Sequence, residues 1–333
     1  MPDFLPWTLL HARLHRSIRQ RQLFKQGERI LVAVSGGQDS LCLIRLLLDL
    51  QPKWGWELAI AHCNHRWRTD AEANAQYVYE LATLWQVPYH QATANTDVIS
   101  EAAAREWRYG VLGAIAQQKG YTAVVTGHTG SDRAETLLYN LIRGSGADGL
   151  QAMTWQRELL PNVRLVRPLL ETWRSETAAF CQERDLQVWQ DSTNDDLHYA
   201  RNRIRQELLP YLKAHFNPQT EQSLAQTAEL LRAEVDFLEK TASTLRQQAS
   251  PATEPDPPRL SRRVLKGAPL ALQRRVIRQF LHQVLPQTPS FEQVEKLVAL
   301  LQAPNRTRTD SLPGRAIATV DGDWIKILHE PDQ

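Results

Sequence analysis

The chain has 333 residues, more than one ordinary domain holds, so two units with separate cores are expected. Thirty-nine lysines and arginines face 37 aspartates and glutamates, a net charge of +2, so overall charge argues neither for nor against a polyanionic partner. The three cysteines, Cys42, Cys63 and Cys181, lie far apart with no C-x-x-C pair and suggest neither a disulfide framework nor a zinc or iron–sulfur site. No apolar span approaches about twenty residues and the N-terminus lacks the regions of a signal peptide, so a soluble cytoplasmic protein without membrane partners is expected.

Residues 7–22 carry Leu9, Leu10, Leu14 and Ile18 among Arg13, Arg16, Arg19 and Arg21, the pattern of a basic amphipathic helix. A short β-branched run, Ile30 to Val34, then leads into Ser35-Gly36-Gly37-Gln38-Asp39-Ser40 and the leucine-rich run Leu41 to Leu48, which reads as buried strand, glycine loop and buried helix. Such a loop binds anions, because glycines expose backbone N–H groups, the helix start adds positive partial charge, and Ser35 and Ser40 offer hydroxyls. It is not a Walker A loop, since Asp39 stands where that motif has lysine; an acid in a phosphate nest fits if magnesium joins it to a nucleotide. The alternative is a plain turn with Ser and Asp as helix caps.

A second strand over Leu58–Ala61 ends in His62-Cys63-Asn64-His65-Arg66-Trp67-Arg68, where open α/β sheets place ligands. As a metal site this group lacks a third ligand, so a polar rim of a nucleotide pocket is the better reading. A helix follows over about 71–85, then a strand near Tyr89–Ala92. Ser100 is the expected N-cap of the next helix, with Trp107, Val111 and Ile115 on its core face and Arg105 and Arg108 on another, before a fourth strand, Ala123–Thr126, closed by Gly127-His128. In the helix that begins around Ser131-Asp132-Arg133-Ala134-Glu135-Thr136, either Asp132 is an N-cap with Glu135 as its partner, or the two carboxylates face the ligand crevice and hold a metal or an ammonium group. Residues 144–149 match G-x-G-x-x-G but follow a helix, so they are read as a flexible loop.

Beyond this, Val163–Leu170 is strand-like up to Pro168, a helix is expected over Ser175–Arg184, and Trp189–Asp195 is loop. Arg201, Arg203 and Arg205 open another helix, suited to phosphates or a carboxylate, or to a solvated face. Asn217-Pro218 marks the start of a long amphipathic helix, the proline-rich stretch Ser250–Pro258 is a linker, and helices at Pro269–Val284 and Phe291–Leu301 precede a hairpin of Ala316–Val320 and Trp324–Leu328. The expected class is α/β: a Rossmann-like parallel sheet with helices on both faces over residues 1–215, then a smaller, mainly helical domain over 216–333 that ends in the hairpin.

The glycine loop resembles that of the PP-loop ATP pyrophosphatases. The set of motifs, SGGQDS at 35–40, HCNHRWR at 62–68, AREWRY at 104–109, TGHTGSDRAET at 126–136, RPLL at 167–170, and DSTND with RNRIR within 191–205, resembles the tRNA(Ile)-lysidine synthase family through most of the chain. One departure is Ser131, where the family usually has the first of two adjacent acids. The resemblance implies ligation of L-lysine to C2 of the first anticodon cytidine of tRNA(Ile) with a CAU anticodon. The base is first activated by AMP transfer, and AMP and pyrophosphate are released. It assigns ATP to Ser35, Gly36, Gly37, Gln38, Asp39 and Ser40, with magnesium on Asp39; His62, Asn64, Gly127 and His128 would line the nucleotide. It gives Asp132 and Glu135 the ammonium groups of lysine and Arg108 the activated base or phosphate, and makes Arg105, Arg201, Arg203 and Arg205 candidates for anticodon or carboxylate contacts. A homodimer is compatible with the sequence, which fixes no oligomeric state. The rivals are another PP-loop tRNA-modifying enzyme and a non-catalytic tRNA-binding protein; a thiolase is disfavoured by the missing C-x-x-C.

Overall fold

The computed structural model describes residues 7–66, 69–94, 101–190, 196–250 and 257–329, apart from the Glu101 side chain. Trp67, Arg68, the expected cap Ser100, the Asp191–Asp195 loop and linker residues 251–256 lie outside them. By its internal contacts the chain divides into two compact units, Met1–Leu231 and Arg232–Gln333.

The first unit begins with α1 (Leu9–Gln20), capped by Thr8, whose Leu10, Leu14 and Ile18 are buried as their spacing requires. There follow β1 (Arg29–Ala33), α2 (Gln38–Trp54), β2 (Glu57–Asn64), α3 (Ala71–Leu84), β3 (Tyr89–Thr93), α4 (Glu101–Lys119), β4 (Ala123–Val125), α5 (Gly130–Ile142) and the short α6 (Ala147–Leu150). Next come β5 (Gln156–Leu160), β6 (Val163–Val166), α7 (Arg174–Glu183), α8 (Ala200–Arg203), a π-helical turn over Ile204–Leu208, α9 (Leu209–His215) and the long α10 (Thr220–Ala249), within which the division falls.

The six strands order as β3-β2-β1-β4-β6-β5, all parallel except the β5–β6 pair. Alternation along each strand sends side chains to opposite faces. Ile30, Val32, Ile60 and Val125 pack with Leu43, Leu47 and Phe180 of the α2 and α7 side, whereas Leu31, Ala61, Val124 and Leu165 pack with Leu112 and Ala116 of α4. Covered on both faces, these strands read as continuous apolar runs. The order reverses between β1 and β4, so their carboxyl ends open at the topological switch point where such sheets bind ligands.

Two local expectations are corrected, and one strand is added. Residues 144–149 are not wholly loop, since α6 (Ala147–Leu150) begins within them. The antiparallel edge strand β5, largely exposed, was not anticipated. α10 starts at Thr220 rather than at Pro218, because the Asn217 side chain accepts the Gln219 N–H (2.9 Å) and its carbonyl the Thr220 N–H (2.9 Å), which closes a turn first.

The second unit contains the C-terminal part of α10, β7 (Arg259–Ser261), α11 (Arg262–Lys266), α12 (Leu270–Val284), α13 (Phe291–Leu300), β8 (Ala316–Asp321) and β9 (Trp324–His329). The expected hairpin is present, and β7 adds to it, giving the order β7-β9-β8. Its core gathers Val276, Ile277, Leu281, Leu297, Ile325 and Ile327. Glu239 of α10 draws in Arg275, Arg278 and Gln279 of α12. Among the described residues no helix is long and apolar enough to cross a membrane.

Candidate active site

The site grows from the turn between β1 and α2. Gly36 adopts φ +88°, a region closed to most side chains, and a Cβ there would collide with Asn74 Oδ1. The turn is held from three sides: Asn74 Nδ2 donates to Ser35 O (3.0 Å), Trp189 N to Gly36 O (3.0 Å), and Ser40 Oγ to Gly37 O (2.9 Å). Gly37 caps α2 without a side chain, leaving the N–H groups of its first turn and the positive end of a 17-residue helix directed at the crevice. No side chain caps this helix start. Gln38 belongs to it through its backbone only, since its Nε2 donates to Arg174 O (2.7 Å) and Thr177 Oγ1 (3.0 Å).

Across the switch point, Gly127 turns the chain out of β4 and α5 begins. Its cap is Thr129, not Asp132: the Thr129 hydroxyl accepts the Asp132 N–H, and Asp132 Oδ2 accepts the Thr129 N–H (2.7 Å) and hydroxyl (2.8 Å). The capping box thus lies three residues earlier than the sequence suggested. It uses one oxygen of Asp132 and leaves Oδ1 facing the crevice, and Glu135 is freed of any capping role.

One residue that sequence reasoning missed ties the acids together. Arg174, the first residue of α7, donates from Nε to Asp39 Oδ2 (3.3 Å), from Nη2 to Asp132 Oδ1 (2.8 Å) and from Nη1 to Glu135 Oε1 (3.0 Å). Its own N–H donates to Ser131 Oγ (3.1 Å), so the residue that departs from the family's acid pair anchors α7 here. Glu135, 3% exposed, is gripped on its other side by the fork of Arg205, Nε to Oε1 (2.8 Å) and Nη2 to Oε2 (2.9 Å). Burial raises the pKa of Asp39 although Arg174 opposes it. Burial pushes Asp132 the same way, but Arg174, His128 and the Thr129 bonds outweigh it and hold its carboxyl below the usual range.

A basic flank faces the acids. Burial brings His128 down to about 3, with Arg167, Arg105 and Arg108 adding to the shift and Asp132 opposing it, and its Nδ1 pairs with Thr126 Oγ1 (2.8 Å). His65, edge-on to Trp107, is lowered to about 4 by burial and by Arg108 and His62. Both rings are neutral at physiological pH. His62 donates from Nδ1 to Val34 O (2.8 Å), since a carbonyl only accepts, which leaves Nε2 as an acceptor. Asn64 accepts the Arg66 N–H (2.9 Å), and its buried Nδ2 has no partner among the described residues; the same holds for the buried Nε atoms of Arg108 and Arg167. Such orphaned donors suit a polar ligand.

The structure thus brings Asp39, Asp132 and Glu135 onto one guanidinium and sets His128 within the fields of Asp132 and the arginines. Arg201 donates to Thr136 Oγ1 (3.3 Å) and Arg205 is committed to Glu135, whereas Arg203 is exposed. Arg105 lies over the Tyr109 ring (5.4 Å). Besides Arg174, sequence reasoning missed Asn74, Thr177, which donates to Asp39 Oδ1 (2.5 Å), and Arg167, 3% exposed. Only Arg167 lay in a motif already singled out. Among the described residues no group of three or more His, Cys, Asp or Glu side chains is placed to hold a metal, so any ion here needs phosphate oxygens besides Asp39.

Known proteins match the sequence along nearly the whole chain. A PP-loop domain model matches residues 10–212, and a model described as the TilS substrate binding domain matches 260–322. The tRNA(Ile)-lysidine synthase of Nostoc sp. is 62% identical over 330 residues, 96% of each chain. The chain belongs to the tRNA(Ile)-lysidine synthase family. The synthase of Synechocystis sp. is 54% identical over 98% of this chain and 99% of its own. Among solved structures, the U34-tRNA thiolase NcsA from Methanococcus maripaludis, which carries a 4Fe–4S cluster, superposes with a TM-score of 0.56. At 16% identity over 66% of this chain and 78% of that one, it shows a shared fold alone.

Proposed function

We propose that this protein ligates L-lysine to C2 of the cytidine at the first anticodon position of a tRNA(Ile) with a CAU anticodon, through an adenylated base, releasing AMP and pyrophosphate. In this reading residues 1–215 form the ATP-binding catalytic domain and 216–333 contact the tRNA. The observation that carries it is the meeting of Asp39, Asp132 and Glu135 on Arg174 at the mouth of the glycine nest. An anion nest and a cation site share one crevice, as a reaction between a nucleotide and an amine requires.

The chemistry follows from the leaving group. A cytosine C2 oxygen leaves poorly, and transfer of the α-phosphoryl group to it makes departure easy. Gly36, Gly37 and the first turn of α2 hold the pyrophosphate end of ATP, and Ser35 and Ser40 keep the loop in shape. The neutral rings of His62 and His128 and the amide of Asn64 line the nucleotide without adding charge. Arg108, with an orphaned Nε, is positioned for the activated base or phosphate. Asp132 and Glu135 receive the ammonium groups of lysine, and Arg105, Arg201 and Arg203 are the anticodon-side candidates. Arg205, held on Glu135, shapes that acid in the ligand-free protein.

Asp39 would hold one magnesium ion. It is a single half-buried carboxylate whose two oxygens, on Thr177 and at 3.3 Å from Arg174, retain lone pairs. Such an ion supplies charge neutralisation of the departing pyrophosphate.

Purified protein with ATP, magnesium and radiolabelled lysine should label an isoleucine tRNA transcript with a CAU anticodon, and Asp39→Ala should abolish the labelling. No labelling by the parent protein, or labelling that does not depend on ATP, would refute the reading.

A further inference from the structure

Arg174 touches both halves of the site at once. Nε is on Asp39, in the first turn of α2 beside the nest, and Nη1 and Nη2 are on Glu135 and Asp132 of α5. Its main chain is pinned at both ends, N–H on Ser131 Oγ (3.1 Å) and carbonyl under Gln38 Nε2 (2.7 Å), so the side chain swings about a fixed pivot. We propose that Arg174 is a positioning residue that couples nucleotide binding to amine binding: its guanidinium occupies the acceptors of Asp132 and Glu135 until Asp39 is engaged from the nucleotide side, and then releases them. This rests on the function proposed above and adds an order and a residue to it.

Counting acceptors gives the reason. Asp132 Oδ2 is filled by the Thr129 N–H and hydroxyl, and Oδ1 has given one lone pair to Arg174. Glu135 Oε1 is filled by Arg174 and Arg205, and Oε2 has given one lone pair to Arg205. An ammonium brings three N–H donors. It finds only one lone pair on each acid, and one of those lies on a carboxylate that is 3% exposed. Moving Arg174 frees a second acceptor on each. Arg205 does not play this part, because both of its contacts are to Glu135 alone.

Arg174 is also the element that senses the nucleotide side. Three carboxylates share two guanidinium groups here, so each acid depends on the others for its share of Arg174. When a cation from the nucleotide side takes up Asp39, the Nε contact, the longest of the three at 3.3 Å, is the first to be replaced. The guanidinium then loses one of its three partners, and an amine competes for the other two acids on better terms. Coupling of this kind is reciprocal, so lysine must tighten nucleotide binding by the same factor.

The test is calorimetric titration of L-lysine into the full-length protein without tRNA, in the presence and absence of magnesium and an ATP analogue with a methylene bridge between the α and β phosphorus atoms. The parent is expected to bind lysine about tenfold more tightly with the loaded nucleotide. Arg174→Gln is expected to bind lysine without nucleotide about as tightly as the loaded parent does, with the nucleotide adding less than about twofold. A parent without coupling, or a glutamine variant with the parent's full coupling, overturns the proposal. Lysine binding by neither protein in any condition overturns the functional reading beneath it, and the proposal with it. If Arg174→Gln does not fold, judged by circular dichroism and melting, Arg174→Lys decides: a coupling reduced at least about fivefold supports the proposal, and an unchanged one overturns it.

Discussion

Gly127 lies against the peptide of Asp39 so closely that a Cβ at 127 would stand 2.9 Å from both the carbonyl carbon and the carbonyl oxygen, and 3.0 Å from the Ser40 nitrogen. The turn after β4 and the first turn of α2 are therefore packed backbone to backbone, and Asp39 is placed by the chain leaving β4 as much as by its own helix. Backbone cannot rotate out of the way as a side chain can. Gly127→Ala should destabilise the first unit by about 1–3 kcal/mol, as overpacking does, and weaken ATP binding at least about tenfold. Urea unfolding and ATP titration check this; a variant that matches the parent in both would show that the contact has no such role.

Glu135 carries two guanidinium groups while almost wholly buried. Removing its charge strands both. Glu135→Gln should cost about 3–5 kcal/mol, the usual penalty for a broken buried pair, and the double variant Glu135→Leu with Arg205→Met should recover most of it. Denaturant midpoints of the single and double variants are the measurement. Glu135→Gln within about 1 kcal/mol of the parent would contradict this account of the pair.

How much of this was visible beforehand differs from element to element. The runs at Ile30–Val34 and Ala123–Val125 announced buried strands because both of their faces are covered, and the two adjacent glycines announced the tight turn ahead of α2. β5 gave no such signal, since Gln156, Arg157 and Glu158 alternate no apolar face on an exposed edge. The cap of α5 was misplaced because Thr129 and Asp132 satisfy the same spacing rule as Asp132 and Glu135, and only the three-dimensional turn selects between them. Arg174 was invisible for a plainer reason. Its partners lie 39, 42 and 135 residues away, and an arginine at the start of a helix, where the dipole disfavours it, carries no mark of what holds it there.

Two partly buried rings set a pH dependence. His65 and His128 are held near 4 and 3, while an unfolded chain returns both to about 6.5, so unfolding takes up protons between those values. Their contribution to stability is complete above about pH 6.5 and is lost as pH falls toward 4. The urea midpoint should therefore decline from pH 7 to pH 5, and His65→Gln should make that decline shallower. An identical slope in the variant would mean that His65 titrates no differently in the folded and unfolded chain.

The account as a whole turns on which phosphorus bond breaks. Protein incubated with α-labelled ATP, magnesium, lysine and the CAU transcript, and resolved by chromatography, should yield labelled AMP in a one-to-one ratio with lysine joined to the tRNA. Label recovered as ADP, or AMP that accumulates with no lysine on the transcript, would contradict it.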